Sequence, residues 1–206
     1  WGAHADPAEF QQRHYDLYGG ARGVAMRRTA RWFLCFLLGA GLSSATTVIP
    51  MSVERLAESS SHVLQGKAVQ SWSEWNAQHT LIYTYTKFQV SSAWKGQAPA
   101  MVVVKQPGGK VDATTERVYG VRYLRQGEDS VLFLRPSEER DGTLIITGLV
   151  QGNFRVRTSR SGTAVVSNGM AEVSSYSVAS HEVAPFTGST MRLEDLKARV
   201  QKAVQP

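Results

Sequence analysis

Downstream of residue 60 the apolar positions recur at every second residue more often than at every third or fourth. Val63-Leu64-Gln65-Gly66-Lys67-Ala68-Val69 and Leu81-Ile82-Tyr83-Thr84-Tyr85-Thr86-Lys87-Phe88-Gln89-Val90 mix aromatic and β-branched residues at this period, which predicts two strands. The polar interval Ser71 to His79 between them reads as a hairpin loop with room for strand extensions. Lys95-Gly96-Gln97-Ala98-Pro99 is a turn, and Met101 to Lys105 a third strand closed by Gln106-Pro107-Gly108-Gly109-Lys110. Gln126-Gly127-Glu128-Asp129 then turns into Ser130-Val131-Leu132-Phe133-Leu134, whose nearly continuous apolar character predicts a buried strand. After an Asp141-Gly142 hairpin signal, Thr143 to Leu149 and Asn153 to Arg157 read as further strands separated by Gln151-Gly152. Thr163 to Val166 and Ala171 to Val178 are weaker strand patterns.

Helical spacing occurs at the two ends of this region. Ser52 precedes Val53-Glu54-Arg55-Leu56-Ala57-Glu58 as an N-cap with an acidic first turn, and Met191 to Val204 sets Leu193, Leu196, Val200 and Val204 on one face. Many short strands with two helices predict a mainly β fold. A small five-stranded OB-like barrel over residues 46–158 is expected, with a short N-terminal helix. Residues 159–206 form a C-terminal extension whose amphipathic helix packs on the barrel.

A different pattern lies upstream. Met26-Arg27-Arg28-Thr29-Ala30-Arg31 leads into the apolar run Trp32 to Ala40 and then Gly41-Leu42-Ser43-Ser44-Ala45, the three regions of a signal peptide spanning 26–45. A membrane-crossing helix needs roughly 20 apolar residues, well beyond this run. Ser43 and Ala45 supply the small side chains preferred before the cut, so cleavage between Ala45 and Thr46 is expected, with no stable membrane span afterwards. Residues 1–25 read as upstream or fragment sequence. The implied location is the periplasm or the medium.

Composition changes the picture once this segment is set aside. Cys35, the only cysteine, lies within it, so the remaining chain has neither thiol chemistry nor disulfides and must be stabilised by its core. Five of the 23 basic and three of the 17 acidic residues also precede Thr46, leaving a net charge near +4. Those charges are dispersed, so nucleic acid is not an expected partner.

Met51 to Leu56, Ser61 to Val69, Tyr83 to Gly96, Gln106 to Gly109, Gly127 to Leu134 and Gln151 to Val156 together resemble a family of secreted bacterial proteins. Their pattern is also similar to the barrel of tissue inhibitors of metalloproteinases and netrin modules: a first strand ending in Gly, a second ending in Lys-Gly, and a Gly-Glu turn into an apolar strand. That resemblance implies the barrel and a protease-inhibiting role. It stops at the inhibitors' N-terminal cysteine, which chelates zinc and has no counterpart after residue 45.

Catalytic motifs are missing from the primary structure. His62, His79 and His181 are too dispersed for a local zinc pattern, no Gly-x-Ser-x-Gly occurs downstream of residue 45, and Gly108-Gly109-Lys110 lacks the phosphate-loop frame. Asp112, Asp129, Asp141 and Asp195 occupy turn or helix-start contexts, and Glu138-Glu139 a polar loop. The expectation is a non-enzymatic exported module without a cofactor, binding a protein or envelope component. Trp72 and Trp75, placed in the loop, with Tyr83 and Tyr85 alternating along the second strand, are the candidate contact residues, since aromatics bury large areas with few rotamers. Arg155 and Arg157 alternate onto one face of a late strand as a candidate for an acidic ligand. An oligosaccharide or single-stranded nucleic acid on the aromatics, and an enzyme with a site assembled from distant residues, remain alternatives.

Overall fold

The computed structural model describes residues 46–170 and 173–205, all within one compact unit, Ala45–Pro206. The leader at 26–45, residues 1–25 and the Ala45 side of the expected cleavage point lie outside the described residues.

The large sheet begins with a long hairpin, β2 (His62–Trp75) and β3 (Ile82–Lys95), preceded by a three-residue strand β1 (Thr46–Val48) and helix α1 (Val53–Glu58). The first strand therefore runs six residues beyond Val69. Ser71 and Ser73 had marked the interval as a loop, but they lie opposite Thr86 and Thr84 and pair with them through hydroxyls at 2.9 and 3.0 Å. Cross-strand hydroxyl pairs satisfy a polar ladder as well as packing does an apolar one. Trp72 and Trp75 consequently stand in a strand and not in a loop. The true connection is 76–81, tied by Asn76, whose Oδ1 accepts from the amides of Thr80 and Leu81 at 2.8 and 3.1 Å.

Next come β4 (Met101–Pro107) and the small hairpin β5 (Gly109–Val111) with β6 (Thr114–Glu116). β7 (Asp129–Pro136) and β8 (Leu144–Ile146) follow. The strand expected over Thr143 to Leu149 stops at Ile146, because Gly148 and Leu149 take φ of 67° and 56° and turn the chain into a 3-10 helix, Leu149–Gly152. β9 (Asn153–Thr158) and β10 (Ala164–Ser167) form an antiparallel pair, so the sheet continues through the 158–164 turn. The described chain ends with β11 (Val173–Ser177), β12 (Glu182–Pro185), β13 (Thr190–Arg192) and helix α2 (Leu193–Val204).

The described residues make a mainly β fold, with one large sheet and two α-helices. Strand order in the large sheet is β13-β10-β9-β7-β2-β3-β4-β8, and β8 also pairs with β7. β4 and β8 run parallel while the other pairs of this sheet are antiparallel. β1, β11 and β12 make a separate three-stranded sheet in which β1 and β11 are parallel.

β7 explains the layering. Val131 and Phe133 point into one cluster with Leu56, Val63, Phe154, Leu196 and Val200, while Leu132 and Leu134 point into another with Leu64, Phe88, Val102 and Val104. A strand buried on both faces must be apolar at successive positions, hence its unbroken run. The helices meet over the first cluster. Ser52 Oγ accepts from Arg55 N at 3.1 Å to start α1, and Arg199 of α2 grips Glu54 with two hydrogen bonds of 2.8 and 2.9 Å. That guanidinium, helped by the backbone at Glu54, pulls the Glu54 carboxyl down to about 2.

At Gly66 the backbone of β3 leaves β2 no room for a side chain. A Cβ there would lie 2.0 Å from the carbonyl oxygen of Gln89 and 2.8 Å from the Phe88 ring, so no larger residue fits without separating the strands.

Candidate aromatic face and its buried lysine

The ladder places one residue of each strand directly opposite the next: Trp72 on β2, Tyr85 on β3, Lys105 on β4, Ile145 on β8 and Arg135 on β7. Glu74, Tyr83 and Pro107 form the neighbouring row, two residues along each strand and so on the same face. The inner row, with Thr84 and Thr86 of β3, is buried, leaving the aromatic face outward.

Trp72 stacks on Tyr85 with ring centroids 5.6 Å apart and planes 16° from parallel. Its indole N–H donates to Glu74 at 3.3 Å, and Lys87 Nζ lies 6.0 Å from its ring. Trp75, further along the strand, stacks on His79 of the turn at 6.1 Å. These rings are half-buried, so each still presents surface to solvent.

Lys105 is the charged centre of the face. Its side chain is only 3% exposed, and its ammonium lies 4.3 Å from the Tyr83 ring and 5.7 Å from the Tyr85 ring. The 137–143 connection supplies its counter-charges: Nζ donates to Glu139 at 2.6 Å and to Asp141 at 3.2 Å. Burial opposes the charge, but these two hydrogen bonds outweigh it and hold the lysine pKa above its ordinary value. Asp141 is lowered, chiefly by the Thr143 hydroxyl and also by Lys105, while burial raises Tyr85.

Beside this arrangement is a cleft of about 430 Å³ bordered by Tyr83, Pro107, Ile145, Leu149, Arg135 and Glu138. The volume suits a small molecule or one or two units of a polymer. Apolar and aromatic walls with convergent carboxylates and a guanidinium can stack a ring face while hydrogen-bonding its hydroxyls.

Arg155 and Arg157 do not join the aromatics. Arg155 lines a second cleft, of about 610 Å³, together with Arg122, Tyr123 and Lys110, and its Nε donates to Glu128 at 3.0 Å. Arg157 is exposed opposite Val165. Sequence reasoning had set Lys105 at the end of a strand and read Glu139 and Asp141 as loop and turn residues. A lone lysine closing the apolar run Met101 to Val104 was the available signal.

His62 and His181 are engaged locally, by Ser61 and the Gln97 carbonyl and by Tyr176 respectively. Among the described residues no group of three His, Cys, Asp or Glu is placed to hold a metal ion, and no helix is long and apolar enough to cross a membrane. No protein-family model matches the chain, and no curated protein matches it.

Proposed function

We propose that this chain is an exported binding module that recognises an envelope component, a glycan, on the outer face of β3 and β4. The observation that carries the reading is the row Trp72–Tyr85–Lys105, a stacked aromatic pair set against a buried lysine with carboxylates around it. Stacked rings take the apolar face of a sugar, and Glu138, Glu139, Asp141 and Arg135 offer acceptors and donors to its hydroxyls. These carboxylates balance Lys105 and Arg135, so the face has no net positive charge to attract phosphodiesters, which favours a glycan over a single-stranded nucleic acid.

The pairings β2–β3–β4–β8–β7–β2 are those expected of a five-stranded OB-like barrel, with β4 and β8 as its parallel pair. In such barrels the second and third strands and the adjoining loops bind oligosaccharides and oligonucleotides. Here those are β3, β4 and the connections 76–81 and 137–143. A protein partner, including an inhibited protease, is the second reading and draws on the inhibitor-like strand pattern. Export rests on the leader pattern at Met26–Ala45.

Tryptophan fluorescence of the purified chain titrated with envelope glycan fragments and with single-stranded oligonucleotides tests the proposal. Saturable change with a glycan, abolished by Tyr83→Ala with Tyr85→Ala, supports it. A response to oligonucleotides alone, or to neither, defeats it.

A further inference from the structure

The second cleft is independent of the glycan reading and is strongly basic where the first is balanced in charge. Five basic side chains line it: Lys110, Arg117, Arg122, Arg125 and Arg155. The one carboxylate among its lining residues, Glu116, accepts from the Ile82 amide at 2.7 Å. Just behind the wall, Glu128 serves two of the guanidiniums at once: Arg122 donates to one of its oxygens at 2.8 Å and Arg155 to the other at 3.0 Å.

Two of the five cations are therefore fixed and withdrawn from water. Arg122 is 12% and Arg155 21% exposed, and they share a single carboxylate that is itself 9% exposed. Arg122 is further held by the carbonyl of Asn153 at 3.0 Å and by the Asn153 side-chain oxygen. Its Nε is buried with no hydrogen-bond partner among the described residues. Lys110 and Arg125 stand at the solvent edge, and their side chains make no hydrogen bond or ion pair among the described residues.

A solvated basic surface does not account for this pattern, because solvation neutralises exposed charges and not a guanidinium pair that is mostly buried. Burial and the repulsion of Arg155 and Arg157 hold the Arg122 pKa below its ordinary value despite Glu128. A second anion is the group that would relieve that repulsion. A guanidinium's planar fork of donors matches the paired oxygens of phosphate and carboxylate, and low-dielectric walls focus its field into the cleft.

We propose that this cleft binds a multiply charged oxyanion, a phosphoryl or polycarboxylate group on a small molecule, with Arg122 and Arg155 as the fixed donors and Lys110 and Arg125 as the capturing charges. The volume of about 610 Å³ leaves room for a ligand with more than one such group.

Calorimetric titration of the full chain with inorganic pyrophosphate, with citrate and with sucrose, at matched ionic strength, tests this. Saturable 1:1 binding of pyrophosphate or citrate and none of sucrose is expected, and whichever binds tighter separates phosphoryl from carboxylate chemistry. Lys110→Gln with Arg125→Gln should weaken binding at least tenfold while leaving the unfolding transition in place, since neither side chain is tied to the fold. Tyr83→Ala with Tyr85→Ala should leave it unchanged, so failure of the glycan reading and failure of this one are distinguishable. No heat from either anion at millimolar concentration, or equal affinity in the Lys110 and Arg125 double variant, overturns the proposal.

Discussion

Lys105 permits a prediction in which the two ways of breaking one interaction have unequal costs. Replacing Lys105 with Met removes the ammonium from two carboxylates whose side chains are 55% and 32% exposed, so both rehydrate. What is lost is a charged hydrogen-bond set already shared with water and the contact with the Tyr83 ring, offset by relief of burying a charge. The net cost is about 1–2 kcal/mol. Replacing Glu139 with Gln and Asp141 with Asn instead leaves a 3%-exposed ammonium facing neutral amides. That costs about 3 kcal/mol, the low end for breaking a buried pair, because the amide oxygens still accept. Urea unfolding followed by circular dichroism should separate the two variants by ~0.5–1.5 M in midpoint at unchanged slope. The lysine pKa is raised, so its stabilisation is complete below the unfolded-state value and disappears only as pH climbs through the folded one. The gap between the native chain and the Met variant should therefore stay flat from neutral pH to about 10. A carboxamide variant as stable as the Met variant, or a gap that closes well below that pH, would refute the reasoning.

Two further predictions follow from the fold. Gly66→Ala should lower stability by at least about 2 kcal/mol, since the added methyl meets the Gln89 carbonyl at 2.0 Å; thermal unfolding reads this, and a neutral effect would mean that β2 and β3 separate freely there. Glu54→Gln should cost about 0.5–1 kcal/mol at pH 7, limited by the 43% exposure of both partners. Because the Glu54 carboxyl is depressed to about 2, its stabilisation is present above the unfolded value and is lost as pH falls from about 4.5 towards 2, so stability curves of the native chain and the variant should converge over that window.

How much of this was legible in the primary structure depended on whether an element's reason for existing was local. β7 announced itself because both its faces are buried, and α1 because Ser52 caps it and Glu54 makes its first turn acidic. The outer half of the β2–β3 hairpin was read as loop because Ser71 and Ser73 are turn-like in isolation; only Thr84 and Thr86 across the strand make them ladder residues. β1 has no local pattern to mark it as a sheet strand, since its partner, Val173 to Ser175, is more than a hundred residues away. The aromatic members of the candidate site were visible as residue types, whereas Lys105 with Glu139 and Asp141 was not. That trio depends on the parallel pairing of β4 with β8, which brings Lys105 opposite Ile145 and folds the preceding connection over it. Arg155 was visible as a candidate for an acidic ligand, but its cleft is assembled from β5, β6, β9 and residues 117–125.

The proposed glycan lies across β3 and β4. Amide NMR of the full chain, recorded with and without the glycan fragment that changes its fluorescence, locates the ligand directly. Shift changes confined to Trp72, Tyr83, Tyr85, Lys105 and residues 137–141, and absent from Tyr83→Ala with Tyr85→Ala, are the predicted result. Changes centred on any other surface, or an unaltered spectrum at saturating glycan, would contradict the account.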